Sequence, residues 1–165
     1  MPTEAGEYIV GAYLQRIHRC GIVLYNVRPP GGPLEGLREL DVIGLNLPEK
    51  KAYVCEVTTH LHTMRPQMLD KMPAKHQQQR KYAAAHLVGF EVRYMLWSPL
   101  VTRTQADKLR VIGFDEVVVN KDFTKAVDEL KAIATATKHD TGNHFMRTLQ
   151  ILAHLRKIQA TTVSG

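Results

Sequence analysis

Residues 39–60 read ELDVIGLNLPEKKAYVCEVTTH. Leu40 to Leu47 and Ala52 to Thr58 are rich in aliphatic and β-branched side chains, and only a tight connection containing Pro48-Glu49-Lys50 separates them. Such a pattern predicts an antiparallel hairpin. Side chains alternate along a strand, so Leu40, Val42, Tyr53, Cys55 and Val57 share one face, while Ile43, Leu45, Ala52 and Val54 share the other. A sheet that is apolar on both faces needs helices on both sides.

Elements on either side of the hairpin extend this reading. Glu4 to Arg16, with Thr3 as N-cap, Glu7 in the first turn and Ile9, Tyr13 and Ile17 at helical spacing, reads as a helix. Ile22 to Val27 reads as a strand, and Arg28-Pro29-Pro30-Gly31-Gly32-Pro33 begins a loop that runs to Gly36. Beyond a polar, proline-containing passage from His60 to Pro73, Lys75 to Leu87 is helical in composition and Phe90 to Trp97 returns to strand. A short helix near Gln105 to Arg110, a strand at Glu116 to Val119, a helix from Phe123 to about Thr135 and a last amphipathic helix opened by Gly142-Asn143 follow. The order is α-β-β-β-α-β with a short α-β-α-α tail. This is a single mixed α/β domain over 1–165, with a core at about 4–98 and an extension at about 99–165.

With 165 residues, 44% of them apolar and 23% charged, the chain has ordinary globular usage, which argues against disorder, collagen and coiled coil. No apolar run is long enough to span a bilayer, and the acidic opening MPTEAGEYIV does not resemble an export signal, so the expected location is cytoplasmic. The formal charge of +6 suits a polyanionic partner. Cys20 and Cys55 are too few for a disulfide framework or a zinc cluster and read as reduced thiols near the core.

Two acids interrupt the apolar pattern. Asp41 falls on the face of Ile43 and Leu45, and Glu56 on that of Ala52 and Val54. With a loop from Leu47 to Lys50, residues 41 and 56 have the same index sum as 47 and 50 and lie opposite each other. Opposed Cβ atoms are about 4.5 to 5.5 Å apart. Two carboxylates near ~4 Å repel by about 4 kcal/mol at an effective dielectric of ~20. A shared proton, a nearby Lys or Arg, or a divalent cation would offset this, as would turning one acid to solvent at a strand end. Hard oxygen ligands favour Mg²⁺ or Mn²⁺. In the helix after the hairpin, Lys75, Gln78 and Tyr82 share one face at i, i+3 and i+7, either as a solvated stripe or as groups offered to what the helix covers.

Glu7, Asp41 in ELDVIG, Glu56-Val57-Thr58 in YVCEVTTH and the run Gln78-Gln79-Arg80-Lys81-Tyr82 together resemble the PD-(D/E)xK nuclease superfamily, the last run fitting the QxxxY signature of its RecB-like branch. The resemblance covers about residues 4–98. It implies a three-layer, restriction-endonuclease-like core. It further implies a divalent-metal-dependent nuclease acting on DNA, with Mg²⁺ or Mn²⁺ held by Asp41 and Glu56. The Val57 carbonyl would be a candidate third ligand, and Glu7 would reach the metal directly or through water. Gln78 and Tyr82 would orient the substrate backbone. Two departures stand out: Leu40 replaces the usual Pro, and Thr58 stands where the family has its lysine. Thr58 hydrogen-bonds but carries no charge. Either Lys75 supplies that charge from the facing helix, or the site is attenuated and the domain binds nucleic acid or a protein without efficient cleavage.

His60 and His62 form an HxH pair beside this site; without a second pair at ligand spacing they read as polar loop residues within reach of phosphate. The face carrying Phe145, Leu149, Leu152 and Leu155 reads as core or as a homodimer surface. An unrelated cytosolic role, with the acids satisfied by local lysines, is the most distant alternative.

Overall fold

The computed structural model describes residues 3–28 and 39–162. Beyond Arg28, the loop expected up to Gly36 lies outside the described residues. The elements are α1 (Ala5–Arg16), β1 (Ile22–Val27), β2 (Leu40–Asn46), β3 (Lys51–Val57), α2 (Pro66–Leu69), α3 (Met72–His86), β4 (Glu91–Ser98), α4 (Arg103–Val111), β5 (Glu116–Val119), α5 (Lys121–Ala136) and α6 (His144–Thr162). The fold is α/β, with a mixed five-stranded sheet among the described residues, in the order β1-β2-β3-β4-β5.

The turn from Leu47 to Lys50 closes the β2–β3 hairpin. Lys50 adopts a left-handed conformation (φ 51°) and its N–H donates to the Leu47 carbonyl at 3.2 Å. The ladder then runs from Asn46↔Lys51 to Val42↔Cys55 without a slip. One further step sets Asp41 against Glu56. β1 pairs antiparallel with β2, whereas β3, β4 and β5 are parallel. Parallel neighbours need crossover connections, which α2–α3 and α4 provide.

The two faces of the hairpin are buried as the alternation demands. Val42, Tyr53, Cys55, Met95 and Trp97 pack under Val10 and Leu14 of α1 and Phe123 and Ala126 of α5. On the other face, Ala52 and Val54 pack under Ala83 of α3, and Leu96 packs with Met72, Ala106 and Leu109 under α3 and α4. α6 joins the first side by seating Met146 against Ala12, Leu130 and Ala134. Cys20 and Cys55 are free and buried. Burial pushes the Cys20 thiol up to about 12 and that of Cys55 well above its usual range.

Several boundaries differ from expectation. The N-cap of α1 is Glu4 rather than Thr3. The Glu7 carboxylate accepts from the Glu4 N–H at 3.1 Å, the returning half of a capping box. The passage from His60 to Pro73 contains α2 and the start of α3, because Pro66 and Pro73 occupy first-turn positions where no backbone donor is required. α4 begins two residues before Gln105 because Thr102 and Gln105 cap each other reciprocally, at 3.2 and 3.0 Å.

α1 lies unusually close to its neighbours. A Cβ at Gly6 would fall 1.6 Å from Thr59 Cγ2, and one at Gly11 would fall 2.0 Å from the Tyr25 hydroxyl. The two glycines set the depth at which Glu7 stands beside the sheet.

Candidate functional site

A cavity of about 560 Å³ opens where β2 begins and β3 ends. This is the carboxyl end of the parallel strands, where open α/β sheets place ligands. Glu4, Glu7 and Asn26 wall it from the α1 side, Lys71 and Lys75 from the α3 side, and Asp41, Val57, Thr58, Thr59 and His60 lie between.

Asp41 lines the cavity, and Glu56, which is not among its described lining residues, lies beside it on the next strand. Hairpin register brings them together on one sheet face, and Asp41 Oδ2 accepts the Val57 N–H at 2.7 Å, which fixes that carboxylate across the strand pair. Glu56 is 2% exposed. Burial, and after it the charge of Asp41, raises Glu56 to about 7, against an opposing pull from Lys75. Asp41 is raised as well, chiefly by burial. The pair therefore favours holding a proton in common when no other cation compensates it.

One cation is already present. Lys75 reaches from the first turn of α3 and its ammonium donates to Glu56 Oε1. Lys75 thus meets the pair, as its place on the facing helix suggests. Thr58 is buried, with its hydroxyl donating to the Trp97 carbonyl at 3.4 Å, so that side chain is tied to β4.

Glu7 enters the same cavity from α1. Its Oε2 accepts from the Glu4 N–H and, at 3.2 Å, from Asn26 Nδ2. Burial raises its carboxyl, with the Asp41 charge adding to the effect. Gln78 and Tyr82 are half-buried, and neither is among the described residues that line the cavity. Tyr82 packs with the Ala52, Val54 and Ala83 cluster and lies 4.6 Å from the His86 ring. The buried edge of α3 consists instead of Met72, His76, Gln79 and Ala83. His60 and His62 stack in parallel, 5.1 Å apart and 7° from coplanar, with His60 on the cavity wall.

Some wall residues were not legible as site residues in the sequence: Glu4, Asn26, Lys71 and the Arg28–Glu39 ion pair at the rim. The capping-box spacing of Glu4 and Glu7 was the available signal for the first. Asn26 sits at the β1 position facing Asp41, but a left-handed backbone (φ 51°), which Asn tolerates, turns its amide to Glu7.

Among the described residues no group of three or more His, Cys, Asp or Glu side chains is placed to hold a metal ion. The hard-oxygen donors at the site are the Asp41 and Glu56 carboxylates and the nearby backbone, a set that suits Mg²⁺ better than zinc because Mg²⁺ takes one or two carboxylates and keeps several waters. No described helix is long and apolar enough to cross a membrane. Comparison of the chain with protein-family models, with curated proteins and with solved structures yields no match.

Proposed function

We propose that this cavity is the centre of a divalent-metal-dependent phosphodiester hydrolase acting on DNA, built on a core of the restriction-endonuclease-like kind. One observation carries the reading: two acids on opposed strands stand side by side, the half-buried Asp41 on the cavity wall and the buried Glu56 behind it, with the ammonium of Lys75 from α3 against Glu56. The hairpin followed by a helical crossover to a parallel strand, with helices on both faces, supports the fold resemblance.

Asp41, Glu56 and the Val57 carbonyl would hold Mg²⁺ or Mn²⁺. That ion supplies Lewis-acid polarisation of a phosphoryl oxygen and a water of lowered pKa. The chain's own groups do the remainder. Asp41 is kept in orientation by the Val57 amide. Lys75 carries the charge that Thr58 lacks; its long stem lets the ammonium serve either Glu56 or a phosphate oxygen within the cavity. Glu7, held by Asn26 and the Glu4 amide, stands ready to accept a hydrogen bond from a water on the α1 side.

The test is cleavage of DNA in Mg²⁺ or Mn²⁺ by wild type, Asp41→Ala and Lys75→Ala, with calorimetric titration of Mn²⁺ alongside. Asp41→Ala is expected to abolish cleavage and Lys75→Ala to slow it about a hundredfold or more, the scale of removing one preorganised charge-stabilising donor. Intact cleavage in Lys75→Ala would end the role given to that lysine. Absence of both cleavage and Mn²⁺ binding in wild type would end the reading. A second reading, a nuclease fold that binds nucleic acid without cutting it, is favoured by Thr58 alone, and DNA affinity without cleavage would select it.

A further inference from the structure

The positive charge of this protein is not spread evenly over its two helical layers. On the side of α2, α3 and α4, Arg65, Lys71, Arg80, Lys81, Arg103 and Lys108 are all exposed, and none has an ion-pair partner among the described residues. In the same helices and their caps the acids are Asp70 and Asp107, the latter paired with Arg110. The opposite layer is nearer to balance, although the sequence of α6 adds Arg147, Arg156 and Lys157 without an acid and α1 ends on Arg16. α5 interleaves Lys121, Lys125 and Lys131 with Asp122, Asp128 and Glu129, and the N-cap and first turn of α1 add Glu4 and Glu7. The cavity has lips of opposite sign as a result: carboxylates on the α1 side, and on the α3 side Lys71, where the basic surface begins.

We infer that the α2–α3–α4 face is a docking surface for the phosphate backbone of duplex DNA, entered at Lys71 and leading away from the cavity along the solvent side of α3 and onto α4. This rests on the nuclease reading for the identity of the partner, while the assignment of the face rests on the charge distribution. Unpaired, hydrated lysines and arginines spread along helices suit repeated phosphates, whose neutralisation releases counterions. A duplex fits better than a single strand because the Tyr and Phe rings along these helices, Tyr82, Phe90 and Tyr94, are half-buried in the Ala52–Val54 cluster rather than standing clear as platforms for bases, and the exposed His60–His62 pair lies at the cavity rather than along the face. The acidic α1 lip repels the same backbone and confines it to one side of the opening.

Binding of a short fluorescein-labelled DNA duplex, followed by anisotropy in EDTA so that no cleavage intervenes, tests this directly. The double variants Arg80→Gln/Lys81→Gln and Arg103→Gln/Lys108→Gln should each lower the slope of log affinity against log salt by about 2, about one for each phosphate no longer neutralised. Lys121→Gln/Lys125→Gln on the opposite layer removes the same formal charge and should leave the slope unchanged. An equal loss in all three variants would overturn the face assignment while leaving any metal-dependent cleavage by the wild type intact. Tighter binding of the single strand than of the duplex would overturn the choice of partner. No binding of either at low salt would sink the inference, whereas the nuclease reading stands or falls separately on Mn²⁺ binding and cleavage. Circular dichroism of each variant establishes that it is folded.

Discussion

α1 and α3 cover opposite faces of one sheet, yet they are seated in different ways. α1 comes close because Gly6 and Gly11 leave room for Thr59 and Tyr25, and the seam beneath it holds Val10 and Leu14 against Trp97 and Cys55. α3 is seated on Met72 and Ala83, but between them His76 and Gln79 are buried and make no hydrogen bond of adequate geometry. Such groups cost about 1 to 3 kcal/mol each when left without a partner. The α1 side is not free of such groups, since Gln15 Oε1 and Trp97 Nε1 also lack a partner, but among the described residues only α3 buries two neighbouring side chains, His76 and Gln79, with every polar atom unpaired.

The largest effect should come from closing the gap on the tight side. Gly11→Ala normally gains about 1 kcal/mol of helix propensity. Here the new methyl meets the rigid Tyr25 ring, whose hydroxyl also accepts from Asn143 Nδ2, and overpacking on this scale costs about 1 to 3 kcal/mol or more. Net destabilisation in urea unfolding is the expected result; a gain in stability would mean that α1 is not so close.

On the α3 side the sign reverses. Gln79→Leu replaces a buried amide without a partner by an apolar chain of similar size and should stabilise the fold by about 1 to 2 kcal/mol in the same assay. If Gln79→Leu is destabilising, the amide has a role that the contrast between the two seams does not include.

His76 sharpens the comparison through pH. Its pKa is lowered by burial first and by Arg80 next, against smaller opposing effects of the adjacent Gln79 amide and of Asp115. The unfolded chain therefore takes up a proton near pH ~6.5 that the folded chain refuses, and stability falls as pH drops through and below that value. His18, also lowered by burial, acts in the same direction from the α1 side. The melting temperature of His76→Leu should accordingly fall less than that of wild type between about pH 7 and pH 5, and identical slopes would show that His76 does not set this dependence.

Asp41→Asn should show the smallest and opposite dependence. A carboxyl raised in the folded state contributes stability below its unfolded value of about 3.9, which is lost as pH rises through the folded value. Without divalent metal, the variant should melt higher than wild type near pH ~8 and approach it near pH ~4.

Much of this was legible in residues 39–60. A hairpin has only its loop length to choose, and the spacing of two apolar runs around Pro48-Glu49-Lys50 is enough to set Asp41 against Glu56. Lys75 was legible because helical periodicity places it on the face of the crossover helix α3 with a stem long enough to reach back. The burial of His76 and Gln79 was not, since polar side chains in a Lys- and Gln-rich helix read as solvated until a sheet is laid beneath them. Nor was the approach at Gly6 and Gly11, because what a glycine leaves room for comes from a distant part of the chain. Asn26 escaped notice for a related reason: its backbone turns against the alternation that assigns strand faces.

The tie between Lys75 and Glu56 has a bearing on how the chain reaches its final form. A nascent molecule carries its own counter-ion on a tether, so burying Glu56 beside Asp41 does not wait on any ion from outside. A dication bound there would have to evict a competitor that can never diffuse away.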